Sequence, residues 1–139
     1  MSERPETGRF TELSHDECLD LIRTTTVGRL AFVTGEQHLL PVNFVLGGGN
    51  VYFRTMEGTV LADLAKGHDD VAFGVDHHDD LYQKGWSVTV KGATALVDDP
   101  ELVAAVAAGA RPRPWAPGER DVLMVLRPRQ VSGRRVRRH

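Results

Sequence analysis

Thr55 and Thr59 stand four residues apart with Gly58 between them, where an apolar, strand-like run from Val51 to Thr55 gives way to a helical pattern opening at Thr59. The backbone N–H groups of a first helical turn have no intrahelical partners, so a helix start of this kind can receive an anion such as a phosphate. The same residues also suit a plainer task, a strand ending in a turn with Thr59 capping the helix. A second set lies in Gly85 to Gly92. Trp86 and Ser87 must point to opposite faces of one strand, because side chains alternate with a period of two. Trp115 sits in Arg113-Pro114-Trp115-Ala116-Pro117-Gly118, a large aromatic on a stiff connector. A ring so placed lands on a second subunit, on the edge of a bound ligand or on its own fold.

Other constellations carry less chemistry. Asp76-His77-His78-Asp79-Asp80 has metal-ligand residue types, but adjacent histidines on a strand diverge and no further His or Cys stands at a useful spacing, so no metal site is expected. Cys18, the single cysteine, has no cationic partner beside it and reads as a small core residue rather than a nucleophile. No Gly-Lys-Ser/Thr phosphate loop or nucleophile elbow is present, and nothing identifies a catalytic acid or base. With 17 Lys and Arg against 19 Asp and Glu, the net charge is −2, which gives no general pull toward nucleic acid or an anionic membrane. The basic stretch Gly133 to His139 lacks interleaved aromatics and reads as a solvated terminus. No apolar run approaches the ~20 residues of a membrane span, and the first residues do not resemble a signal peptide. A cytoplasmic protein is expected.

The elements that must position these residues follow from periodicity. At 139 residues the chain makes one domain, which buries roughly 70% of its unfolded surface. Residues 1–12 are polar and read as a flexible arm, with a single domain over 13–139. Ser14 and Glu17 form a capping box opening a short helix to about Thr25 that buries Cys18, Leu21 and Ile22. Leu30 to Thr34, His38 to Leu46 and Val51 to Thr55 are apolar runs separated by turn chemistry, a meander of hairpins. A helix from Thr59 to Lys66 ends at Gly67. Val71 to Val75 and Trp86 to Val97 supply further strands, Gly92 marking a bulge or bend. Asp98-Asp99-Pro100-Glu101 opens a third helix to about Ala108, and Val122 to Leu126 with Gln130 to Val136 forms a last strand or pair. The fold class is mainly β with short helices (α+β), a Greek-key split β-barrel of six or seven strands, closure removing exposed edges.

Taken in order, Pro41-Val42-Asn43-Phe44, the run Val51 to Thr59, Gly85 to Gly92 and the Trp115 segment resemble the pyridoxamine 5'-phosphate oxidase-like, FMN-binding split-barrel family over most of the chain. The resemblance implies a flavin-dependent oxidoreductase acting on a small-molecule substrate, a homodimer with its site between subunits, and FMN as cofactor. It gives Thr55 and Thr59 to the FMN phosphate, but puts Val60 where the family has a cation. Arg54 is the nearest replacement, and it alternates away from Thr55 if the strand is regular. The family's Pro41–Phe44 strand lies along the flavin; here Val42 and Phe44 share one face and Asn43 takes the other, leaving core packing and cofactor contact both open. Trp86 and Ser87 replace a basic residue and a flavin-binding glutamine, so Ser87 keeps a shortened hydrogen bond while Trp86 covers a cofactor or fills the barrel. Trp115 falls on the segment that reaches the second subunit. Pyridoxamine phosphate oxidation itself is not expected, because the substrate-phosphate cations are unmatched. Relatives of this barrel use F420 or haem, or none, so an F420 reductase with a basic groove from Arg54, Lys84, Arg111 and Arg113, and a non-catalytic binding or sensor module, stay open.

Overall fold

Alternation along the strands decides the architecture. In Val27–Thr34 the residues Gly28, Leu30 and Phe32 are buried while Val27, Arg29 and Ala31 are exposed, the signature of a sheet with one face inward. The computed structural model describes residues 8–109 and 121–138. Its strands are β1 (Gly8–Glu12), β2 (Val27–Thr34), β3 (Glu36–Gly47), β4 (Asn50–Met56), β5 (His68–Asp79), β6 (Lys84–Leu96) and β7 (Asp121–Arg138), with helices α1 (His15–Ile22) and α2 (Pro100–Gly109) and a 3₁₀ helix at Leu61–Lys66. The strand order is β1-β7-β4-β3-β2-β5-β6, and β6 pairs again with β7. Six strands therefore close a barrel, with β1 added outside the ring. The segment β2-β3-β4 is a meander and β5 returns beside β2, a Greek key.

Phe44, Phe53 and Phe73 pack at the centre of the barrel, the Phe44 and Phe73 rings edge-on with centroids 5.0 Å apart. A second apolar cluster lies outside, where Val106 of α2 and the flanking Val97 cover Tyr52, Leu123 and Val125. Helix α1 carries the expected capping box, with Glu17 N–H donating to Ser14 Oγ at 3.1 Å and Ser14 N–H to Glu17 Oε1 at 2.8 Å. It buries Cys18 and Ile22 in the core. Gly92 faces β7 so closely that a Cβ there would run into the Arg127 carbonyl oxygen. The register shifts at this point, Lys91 pairing with Gln130 and Gly92 with Pro128, which leaves Arg129 as the extra residue of a bulge.

Two expectations change, and one left open is settled. Gly8–Glu12, expected within the arm, form β1: β7 runs on past β4 and its free edge pairs with β1 from Arg134 to Arg138, which gives the backbone groups of both strands partners there. The helix expected from Thr59 is a 3₁₀ turn beginning at Leu61, because Thr59 closes the preceding turn with its own side chain. The last strand or pair of strands is one strand, β7. Trp115, Arg111 and Arg113 lie outside the described residues. No helix of the described residues is long and apolar enough to cross a membrane.

Candidate functional site

The two hydroxyls marked by the sequence meet at the end of β4. Thr55 Oγ1 and Thr59 Oγ1 are 3.1 Å apart. Thr59 donates its proton to the Met56 carbonyl at 2.8 Å and accepts from the Ala62 N–H at 3.2 Å, so Thr55 is the donor of the hydroxyl pair. Gly58 turns the chain between them at φ +86°, a conformation that side chains other than glycine rarely adopt. A phosphate oxygen arriving here would accept the Thr55 O–H, exchanging a neutral hydrogen bond for a charge-assisted one.

The cations do not follow the hydroxyls. β4 stays in register with β7 up to Met56 opposite Asp121, so it alternates regularly. Arg54 therefore shares its face with Tyr52 on the outer side of the barrel, while Thr55 continues the row of Val51 and Phe53. Val60 is 41% exposed and follows Thr59 directly. Lys66 pairs with Asp63 at 3.8 Å. The turn is thus held by hydroxyls and backbone, with Val60 and no cation at the position the family resemblance assigns.

On β3, Val42 and Phe44 are buried in the core and leave only their backbone to a ligand, whereas Pro41 and Asn43 are exposed. The two exposed residues belong to an outer face that continues through their partners Arg29 and Val27 on β2. That face is open and carries large apolar side chains among the polar Arg29 and Asn43: Val27, Val33 and Leu39 are 52%, 56% and 67% exposed.

Trp86 and Ser87 diverge as alternation requires. Trp86 is half-buried against the core, opposite His77 and Arg135. Ser87 opens onto an outer groove of about 580 Å³ shared with Phe10, Glu12 and Arg134, where the Arg134 guanidinium lies 5.4 Å from the centroid of the Phe10 ring. Phe10 and Glu12 were missed because a polar terminus reads as a loose arm; the alternation of Phe10 with its polar neighbours is the signal that could have found them. Ser87 pairs with Arg134 and Thr55 with Val122, so the groove and the cradle lie toward opposite ends of β7 and one chain does not join them. His77 and His78 fall on opposite faces, His78 standing 3.9 Å from Asp76, and among the described residues no three metal-ligating side chains converge. Burial pushes the Cys18 thiol up, and the neighbouring Glu17 charge adds to the effect, the reverse of what a nucleophile needs.

Residues 14–135 match the profile of the pyridoxamine 5'-phosphate oxidase family. The chain belongs to that family. Its relatives include the uncharacterized protein Rv0080 of Mycobacterium tuberculosis, 30% identical over 95% of this chain and 90% of that one. Among solved structures, an FAD binding protein from Mycobacterium smegmatis is 34% identical, covering 90% of this chain and 98% of its own, with a TM-score of 0.76. A protein from Mesorhizobium loti described as FAD-binding superposes with a TM-score of 0.77 over 91% of this chain and 97% of its own, and at 24% identity shares the fold alone. The barrel of this pyridoxamine 5'-phosphate oxidase family member is therefore the split barrel found in flavin-binding proteins.

Proposed function

We propose that this chain is a small flavin-dependent oxidoreductase that works as a homodimer on a small-molecule substrate. The observation that carries the reading is the Thr55–Thr59 hydroxyl pair, 3.1 Å apart at the end of β4, in a chain whose M. smegmatis relative binds FAD. The cofactor phosphate would be held there by the Thr55 hydroxyl. The isoalloxazine would lie along the outer face at Pro41 and Asn43, and Ser87 of the second copy would offer its hydroxyl from the groove at the other end of β7. Hydride chemistry would belong to the flavin, and the protein's part is binding and exclusion of water.

The open outer face supports the dimer. Val27, Val33 and Leu39 expose large side chains on one side of the β2–β3 hairpin, and apolar surface of this kind marks an interface. Separation of the cradle from the Ser87 groove within one chain supports a site completed by two.

The donor set favours FAD over FMN. At pH 7 a terminal phosphate monoester carries about −1.5 to −2 charges, whereas each phosphate of the FAD diphosphate carries about one. A cradle with Val60 in place of a cation suits the lesser charge. F420, whose phosphate is also a diester, is the competing occupant by the same argument.

The test is equilibrium binding of FAD, FMN, F420 and haemin to apo-protein, followed by gel filtration and absorption spectroscopy. Retention of FAD ahead of FMN is the expected result. Retention of no flavin, or of haemin alone with a Soret band, overturns the proposal.

A further inference from the structure

The inner face of the sheet ends in a second, differently built cavity of about 240 Å³ at the mouth of the barrel beside α1. Its wall is the half-buried Trp86, with Leu21 of α1 beside it. Cross-strand pairing aligns the charged residues: Trp86 stands opposite Arg135 and His77, and Lys84 opposite Arg137 and Asp79. Residues directly opposite on neighbouring strands share a face, so Lys84, Arg135 and Arg137 converge on the cavity that all three line.

Their charge is poorly balanced. Among the described residues Asp79 is the one carboxylate in the lining, and its Oδ1 already accepts the Tyr82 N–H at 3.2 Å. Among the described residues none of the three cations makes a salt bridge with a carboxylate. Lys84 instead lies 5.6 Å from the centroid of the Tyr82 ring. Glu17 of α1 feels Arg135 only as the last of the influences on its carboxyl, after its Ser14 hydrogen bonds and burial. Like charges gathered against an apolar wall repel one another unless an anion joins them. Two guanidiniums two residues apart on one strand face offer paired donors that match the oxygens of a phosphate or carboxylate.

The size narrows the ligand. Drug-sized and cofactor pockets run to roughly 300–1,000 Å³, so this cavity takes one ring and its anionic group, not a dinucleotide. It also lies on the opposite side of β6 from Ser87. We propose that the mouth of the barrel is a binding site for a small aryl anion, its phosphate or carboxylate held between Arg135 and Arg137 with Lys84 alongside, and its ring against Trp86. The site is independent of the flavin reading, since it shares no residue with the Thr55–Thr59 cradle.

Trp86 reports on the site directly. In a Trp115→Phe chain it is the sole tryptophan, and its fluorescence is titrated with phenyl phosphate, benzoate and inorganic phosphate. Saturable quenching by phenyl phosphate, competed by inorganic phosphate and weakened at least tenfold in Arg135→Gln/Arg137→Gln, is the expected outcome. Stronger response to benzoate would assign the carboxylate as the preferred group within the same site. Quenching that does not saturate by about 10 mM, or that the double substitution leaves unchanged, overturns the proposal. Lys84→Gln, an exposed change, gives a second weakening should the double variant fold poorly. Flavin retention by Arg135→Gln/Arg137→Gln, compared with its Trp115→Phe parent, is expected to stay constant, which separates failure of this site from failure of the cradle.

Discussion

Replacing Val60 by lysine restores a cation beside the Thr55–Thr59 pair and tests whether a phosphate binds there. Val60 is 41% exposed, so the new ammonium would act through a largely aqueous medium. Two unit charges 4 Å apart in water interact by about 1 kcal/mol. The near-dianionic FMN phosphate then gains about 2 kcal/mol, roughly thirtyfold in affinity, while one singly charged phosphate of FAD gains about 1 kcal/mol, roughly fivefold. Riboflavin, which has the ring and no phosphate, gains nothing. The measured quantity is the Kd of apo-protein for each of the three ligands, by quenching of flavin fluorescence, in the parent chain and in Val60→Lys.

Salt supplies the internal control. The Debye length contracts from about 10 Å at 0.1 M to about 3 Å at 1 M, so the FMN gain should shrink steeply over that range while riboflavin affinity stays level. A surface change of this kind moves stability by no more than about 0.5 kcal/mol, which thermal unfolding verifies. Equal tightening of FMN and riboflavin would show that lysine acts on the ring and not on a phosphate. Unchanged FMN affinity would remove the phosphate from the end of β4 altogether.

Gly92→Ala should lower stability by about 1–3 kcal/mol, seen as a lower midpoint in urea, because its Cβ would meet the Arg127 backbone across the bulge. The Glu17 carboxyl is held below its ordinary value of 4.5, first by the backbone and then by the side-chain hydrogen bond with Ser14. Its contribution is therefore present above that value and lost as pH falls through the lower folded value. The Tm advantage of the parent over Glu17→Gln should accordingly be full at neutral pH and vanish in acid; an advantage independent of pH would refute this. Cys18 should resist maleimide in the native state and react once denatured, since it is fully buried with a raised pKa; rapid native labelling would place the thiol elsewhere.

The strands were legible because each buries one face. The pattern of Leu30 and Phe32 against Ala31 and Val33 can be read before any pairing is known, and the pairing then only closes the ring. The strand that went unread, β1, marks its face with Phe10 alone and pairs where β7 offers it an edge. The continuity of β7 was obscured by Pro128 and Gly133, local breakers that a long, well-paired strand absorbs, Pro128 beside the bulge and Gly133 in regular pairing with Val88. Within the site, the spacing of Thr55 and Thr59 was sufficient because four residues and a glycine fix a local turn. The side taken by Arg54 was not, because it depends on β4 staying regular against β7. The cations at the barrel mouth come from residues 84, 135 and 137 and become neighbours only through the register of β6 and β7.

That register gives one residue an unusual weight. Before the bulge the inward residues of β7 are the even-numbered Met124 and Leu126, with Leu123 and Val125 turned to the outer cluster. Beyond it the inward set is odd: Val131 packs on the core, Arg135 lines the mouth and Arg134 joins the outer groove. Arg129, the unpaired residue, makes the switch and is fixed there by donating to the Asp69 carbonyl at 2.6 Å. Asp69 and Asp70 themselves form the irregular segment between His68 and Val71 on β5, so two bulges are tied across the barrel. A slip of one residue turns every later side chain to the other face. Were Arg129 paired with Lys91 instead of bulged, Arg134 and Val136 would face the mouth, and Arg135 and Arg137 the outer groove. The division of the basic tail between an outer groove and an inner cavity is thus set not by the tail's own arginines but by a single bulge six residues before Arg135.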